Sequence, residues 1–118
     1  MRYIIHDWPD TDAIRILTRI REAMSSSSRL LVCDRIILPS YRSSERQGRG
    51  DGVAPEPLLA NWADAASSGA DLLMMLNFNA KERTKEEFEG LFKEAGLVLE
   101  KLYYQNGAVG ILQCARVD

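Results

Sequence analysis

Two short apolar runs flanking one amphipathic segment, all within the first 38 residues, constrain the fold of this chain more than any other feature. Tyr3–Ile5 is β-branched and aromatic, which predicts a buried strand. Asp7-Trp8-Pro9-Asp10 interrupts it, because a proline pushes its predecessor out of helical geometry. Asp10 is placed to cap a helix, and Asp12 adds negative charge to its first turn. Ala13, Ile14, Ile16, Leu17, Ile20 and Met24 then form an apolar face, with Arg15, Arg19 and Glu22 opposite, and the helix should end near Met24. The serines from Ser25 to Ser28 make the turn. Leu30–Leu38 is a second apolar run, broken only by Asp34 and Arg35. Strand, helix and strand with short joints predict a βαβ unit, so the two strands should be parallel and the crossover right-handed.

The rest of the chain reads as a polar loop and a second structured block. Ser40–Pro57 contains Gly48, Gly50, Gly52, Pro55 and Pro57 without periodicity, the pattern of a mobile loop. Leu58–Asn77 should be helical, with a break at Gly69. Thr84-Lys85-Glu86-Glu87 is a capping box opening a further helix, with Phe88, Leu91 and Phe92 as its apolar stripe and Gly96 at its C-terminal cap. Leu97–Tyr104 and Val109–Val117 read as strands joined by an Asn106-Gly107 turn, an antiparallel hairpin. The chain is therefore expected to be a single α/β domain in three stretches: strand–helix–strand over 1–39, a mobile loop over 40–57, and helices with a hairpin over 58–118.

Composition narrows the function classes. The 118 residues are 46% hydrophobic and 27% charged, an ordinary globular balance. Fifteen basic and seventeen acidic residues leave a net charge of −2, with no general pull toward nucleic acid or an anionic membrane. No apolar stretch is long enough to span a bilayer, and the first residues turn acidic too soon for a secretory signal. Cys33 and Cys114, the two cysteines, sit in apolar runs and read as reduced core residues of a cytoplasmic protein.

His6, the sole histidine, stands where the first strand should end, the edge at which α/β sheets collect their sites. Asp34 should reach the same edge, and Glu82 lies in the loop before the capped helix. One imidazole oriented by carboxylates is a workable general base. The alternative is that His6 is an incidental strand-end residue and that both acids are solvated or ion-paired. One histidine without a cysteine cluster falls short of usual zinc ligand sets, so no metal is expected. No glycine-rich phosphate loop and no nucleophile elbow occur.

Several segments resemble one family. His6-Asp7-Trp8-Pro9-Asp10 with the helix that follows, Leu31-Val32-Cys33-Asp34-Arg35-Ile36-Ile37-Leu38-Pro39, Asp71-Leu72-Leu73-Met74-Met75, and Lys81-Glu82-Arg83-Thr84 through Gly96 are similar to S-adenosylmethionine-dependent O-methyltransferases of the plant and fungal caffeate/hydroxyindole type. The resemblance covers nearly everything except about Ser40 to Ala65. It implies the C-terminal half of a Rossmann-like class I methyltransferase sheet, with parallel strands, a terminal antiparallel hairpin and flanking helices. It implies that His6 takes the proton of an acceptor hydroxyl, with Asp34 and Glu82 bracketing it. Glutamate is frequent in that family where Asp34 stands, so this side chain is one methylene shorter. Arg2 matches a basic position beside the methyl donor, and Asp7 and Trp8 match cofactor-binding positions near donor and acceptor. Met74 and Met75 resemble a helix lining the acceptor pocket, although core packing explains methionines at such spacing equally well.

The implied chemistry is coherent. A free phenol titrates near 10 and a free imidazole near 6.5, so complete prior deprotonation is uphill by roughly 5 kcal/mol. Proton removal concerted with methyl transfer, with an acid steadying the imidazolium, lowers that demand. The family's glycine-rich donor turn and its ribose-binding acid have no counterpart in this sequence, so the main S-adenosylmethionine motif is absent. The chain thus looks like about the C-terminal third of such an enzyme. A small-molecule hydroxyl acceptor is the expected partner. Homo-oligomerisation, or association with a relative through the unpartnered edge of the first strand, is expected as well. A non-catalytic fragment and a plain α/β binding module are the competing readings.

Overall fold

The structure, a computed structural model, describes residues 1–38, 56–58, 65–104 and 109–117. The loop expected over 40–57, apart from Glu56 and Pro57, and the Asn106-Gly107 turn lie outside the described residues. The elements in order are a 3-10 turn at Ile5–Asp7, helix α1 (Asp10–Ala23), strand β1 (Arg29–Arg35), helix α2 (Ala65–Phe78), helix α3 (Lys85–Glu94) and strands β2 (Leu97–Tyr104) and β3 (Val109–Arg116).

The three strands form one sheet in the order β1-β3-β2, antiparallel throughout. This corrects the expected parallel pair. Tyr3–Ile5 is not a strand: Tyr3 has a left-handed φ of 51°, which turns the chain out of extension, and Ile5 begins the 3-10 turn. What remains of the parallel relation is an isolated bridge between Arg2 and Cys33, closed by Tyr3 N donating to Cys33 O (2.9 Å) and Cys33 N to Met1 O (2.9 Å). A second parallel bridge joins Ile36 to Arg83.

Local chemistry explains most of the elements. Pro9, at φ −61°, is the N-cap of α1, and Asp10 is the first helical residue rather than the cap, so its carboxylate is free for another partner. Ala13 and Leu17 are buried, and Ile14, Ile16 and Ile20 pack against the core's margin. The capping box of α3 forms as its sequence implies: Glu87 N donates to Thr84 Oγ1 and Thr84 N donates to Glu87 Oε2. Gly96 follows that helix at φ 72°, where a Cβ would stand 2.8 Å from Arg21 Nε. Helix α2 runs through Gly69 unbroken, and nothing lies within 4 Å of the position its Cβ would take.

One core unites these pieces. Ile5, Leu17, Val32, Phe88, Phe92, Leu112 and Cys114 are all essentially inaccessible. Alternation in β1 buries Leu30, Val32 and Asp34 and turns Leu31 outward. A carboxylate thereby reaches the inner side at the end of the strand. Both cysteines are free thiols; Cys114 is buried, with its pKa pushed up to about 12 by that burial, whereas Cys33 is only half-buried, on the outward register. No helix among the described residues is long and apolar enough to cross a membrane.

Candidate active site

The 3-10 turn presents His6 at the junction of β1, α2 and the loop that precedes α3. Its imidazole is 16% exposed. Nδ1 lies 3.2 Å from Glu82 Oε1 and 3.7 Å from Asp34 Oδ1, and Nε2 lies 3.3 Å from Asp7 Oδ1. The three residues expected to carry the chemistry, separated by up to 76 positions in sequence, are therefore one cluster.

The two acids act differently on the histidine. Glu82 reaches the ring within hydrogen-bond distance. Asp34 does not; its Oδ2 accepts from the backbone N–H of His6 at 3.3 Å and its Oδ1 from that of Arg35 at 3.0 Å. The shorter aspartate fixes the turn rather than the imidazole. Asp34 is wholly buried and Glu82 is 2% exposed, and burial raises the pKa of both above the ordinary carboxylate range. His6 partly offsets this for each acid; the nearby Asp34 charge raises Glu82 further, and Arg35 opposes that. Arg35 Nε stands 3.7 Å from Glu82 Oε1, while Glu82 Oε2 is buried without a hydrogen-bond partner.

An ionised Glu82 can only accept, so the 3.2 Å contact favours the ring proton on Nδ1, while the Asp7 carboxylate 3.3 Å from Nε2 makes the same demand on the other nitrogen. The Nδ1–H form is the tautomer a base needs. The side chain of Asp7, whose carboxylate faces Nε2, is 37% exposed. One atom each from His6, Asp34 and Glu82 also lie within 4.8 Å of one another, a spacing that would suit a cation. The expectation of no metal, which rested on one histidine and no cysteine cluster, did not address this carboxylate–imidazole set.

The remaining expected residues surround the turn. Arg2 is exposed, with its guanidinium 4.9 Å from the centroid of the Tyr3 ring. Trp8 is 45% exposed. Met74 is half-buried on α2, and Met75 is 54% exposed, so core packing does not account for Met75. Helix α2 is tied to the site by Asp71, whose Oδ1 accepts from Glu82 N at 2.8 Å. Sequence reasoning overlooked Asp71 and Arg83, the latter a wholly buried guanidinium bound to the backbone around His6. Their one sequence signal was that both lie in segments carrying the family resemblance.

The O-methyltransferase domain family matches residues 1–98. The chain belongs to that family. This O-methyltransferase domain is 38% identical over 120 residues to O-methyltransferase gedA of Aspergillus terreus, covering 100% of this chain and 24% of that protein. It superposes on the mitomycin 7-O-methyltransferase MmcR with a TM-score of 0.74 at 31% identity, covering 98% of this chain and 28% of the other. A structure of LepI in complex with S-adenosylmethionine matches with a TM-score of 0.70 at 30% identity, over 99% of this chain and 25% of LepI. The domain thus spans about a quarter of the length of these relatives. The structures it resembles are class I O-methyltransferases, and the described residues of this chain form an α/β fold with an antiparallel three-stranded sheet.

Proposed function

We propose that this chain is the proton-accepting part of an S-adenosylmethionine-dependent O-methyltransferase acting on a hydroxyl, phenolic by preference, of a small molecule, with His6 as general base. The observation that carries the reading is the pairing of His6 Nδ1 with the buried Glu82 carboxylate at 3.2 Å, which favours the Nδ1–H tautomer and so an Nε2 able to take a proton. As Nε2 accepts the hydroxyl proton, the imidazolium that forms is steadied by Glu82 directly and by Asp34 at 3.7 Å. Asp34 also holds the turn through the His6 backbone N–H.

S-adenosylmethionine, when bound, supplies the methyl group on a positively charged sulfur. The residues here fit one rim of that donor. Arg2 offers a cation for a carboxylate, Trp8 an exposed ring and Asp7 a carboxylate beside Nε2. The glycine-rich turn that would cradle the rest has no counterpart in the sequence. Met74 and Met75 on α2, tied to Glu82 through Asp71, line the acceptor side in this reading. The free thiols at Cys33 and Cys114 support a reducing compartment such as the cytoplasm.

A chimera tests the assignment. The matching C-terminal segment of gedA is replaced by this chain, and methyl transfer is measured with and without His6→Ala. The chimera is expected to turn over, and His6→Ala to lower kcat by about 100-fold or more. A variant within about twofold of the unsubstituted chimera, well below the usual contribution of a base, removes His6 from the mechanism. The large apolar side chains exposed on α2 favour one second reading, a non-catalytic chain that associates with a full-length relative. Calorimetric titration of the chain with S-adenosylmethionine separates the two. Binding tighter than about millimolar, or about −4 kcal/mol, supports a donor site in the chain, and no binding supports the second reading.

A further inference from the structure

We propose that Arg83 is the positioning residue of this site: its guanidinium grips the backbone on both sides of His6 and so sets the imidazole against Glu82. The proposal rests on the reading of His6 as the base, and nothing in that reading uses Arg83.

Arg83 is 0% exposed. Its Nη1 donates to Ile5 O at 2.8 Å and its Nη2 to Trp8 O at 2.7 Å, the carbonyls that open and follow the 3-10 turn bearing His6. Nε and Nη2 also donate to Asp10 Oδ1 at 3.0 and 2.7 Å, at the start of α1. The turn has little support of its own: it is three residues long, and its internal bonds, Asp7 N to Ile4 O and Trp8 N to Ile5 O, measure 3.2 and 3.3 Å. The shorter bonds to this segment come from the guanidinium.

The side chain beside Arg83 in sequence holds the ring itself. Glu82 binds His6 Nδ1 while Arg83 binds the backbone on either side, so one dipeptide fixes ring and main chain together. That dipeptide is anchored from two directions: Arg83 O accepts from Ile37 N at 3.0 Å, and Glu82 N donates to Asp71 Oδ1 at 2.8 Å. Simple charge pairing does not explain the arrangement. Asp10 is 51% exposed and keeps solvent contact, and two of the guanidinium's bonds go to backbone carbonyls rather than to charge. A planar fork serves three acceptors in different directions; an ammonium on a flexible stem does not hold that geometry.

His6 is the only histidine, so its ring nitrogens give unambiguous 15N resonances in the full chain. The neutral ring is expected to carry its proton on Nδ1 in the unsubstituted protein and to lose that preference in Glu82→Ala. Arg83→Lys and Arg83→Gln are expected to lose it too, while the amide resonances of β3 stay in place. Gly96→Ala, which strains the chain after α3 and meets Arg21 rather than the turn, is expected to keep the Nδ1–H form. Should the Arg83 variants fail to fold, Asp10→Ala, at an exposed position that anchors the same guanidinium, is read instead and should lose part of the preference. A folded Arg83 variant, or in its place Asp10→Ala, that keeps the unsubstituted tautomer while Glu82→Ala loses it overturns the proposal and leaves the base reading standing. Glu82→Ala keeping the tautomer overturns the base reading, and the proposal with it.

Discussion

Asp34 and Glu82 are carboxyl groups whose ionisation the fold opposes. In an unfolded chain they titrate near ~4. Burial raises both when the chain folds, so in the window above the unfolded value the folded state holds more protons. The stability they contribute is full below their unfolded values and is lost as pH rises through the raised ones. Asp10 runs the other way. Burial pushes it up, but the Arg83 and Lys81 charges outweigh that and lower it, so its contribution is present above its unfolded value and lost as pH falls. Glu82→Gln keeps an acceptor for His6 Nδ1 and removes the buried charge. It should therefore raise stability at pH 7 on the order of 1 kcal/mol while reducing turnover of the chimera, a trade of activity for stability. Thermal melts at pH 5 and 7 check this; a Glu82→Gln melt at pH 7 no higher than the unsubstituted one contradicts it. Asp34→Asn should slow turnover less than Glu82→Gln does, because Asp34 reaches the turn's backbone and stops 3.7 Å short of the ring. Initial rates of the two chimeric variants compare them, and a larger loss for Asp34→Asn refutes the division of roles.

Among the elements, α3 rests on chemistry written within ten residues. Thr84→Ala removes the acceptor for Glu87 N and should cost ~1 kcal/mol in urea unfolding. Gly96→Ala should cost about 1–2 kcal/mol from the left-handed backbone alone, and more from the encounter 2.8 Å from Arg21 Nε. That encounter also disturbs the bonds by which Arg21 ties α1 to Gly96 O and Val117 O. A Gly96→Ala chain as stable as the parent would contradict the geometry. The contrast with the first residues shows why parts of the fold were legible and others were not. The capping box, the stripe of Phe88, Leu91 and Phe92, and the apolar run that becomes β1 are local patterns, and the structure follows them; which residues of β1 face inward is set by the sheet. The turn at Ile5–Asp7 has no such signature: Tyr3-Ile4-Ile5 is strand-like in composition, while Tyr3 N bonds Cys33 O and Ile5 O accepts from Arg83, partners far along the chain. Asp10 likewise looks like a cap until Arg83, 73 positions away, claims its carboxylate. His6, Asp34 and Glu82 were singled out from their residue types and expected positions, the resemblance gave them roles, and the structure brings the three together. Arg83 was not singled out, because a loop arginine read from sequence is ordinarily solvated, and only the packed structure buries it.

At the scale of the molecule, the apolar surface left outside the core decides solution behaviour. Helix α2 shows Leu72 and Leu73 at 56% exposure, Met75 at 54%, Leu76 at 74% and Phe78 at 51%. Isolated exposed leucines are ordinary, but a run of five large apolar side chains within seven residues is a patch. The amino-terminal edge adds Tyr3, Ile4 and Trp8, although Met1–Tyr3 already pairs with β1 there. The chain should therefore self-associate through α2, with a weight-average mass by light scattering that climbs with concentration. Leu73→Lys with Leu76→Lys places two charges in the patch without touching the residues that hold His6, so the mass should fall to that of one chain while the His6 ring resonances stay unchanged. Lysine is tolerated in a helix, and both positions are more than half exposed, so the fold bears the change. Association that survives this pair and disappears with Ile4→Lys would assign the contact to the amino-terminal edge. A concentration-independent single-chain mass in the unsubstituted protein would show that the exposed α2 face does not drive association.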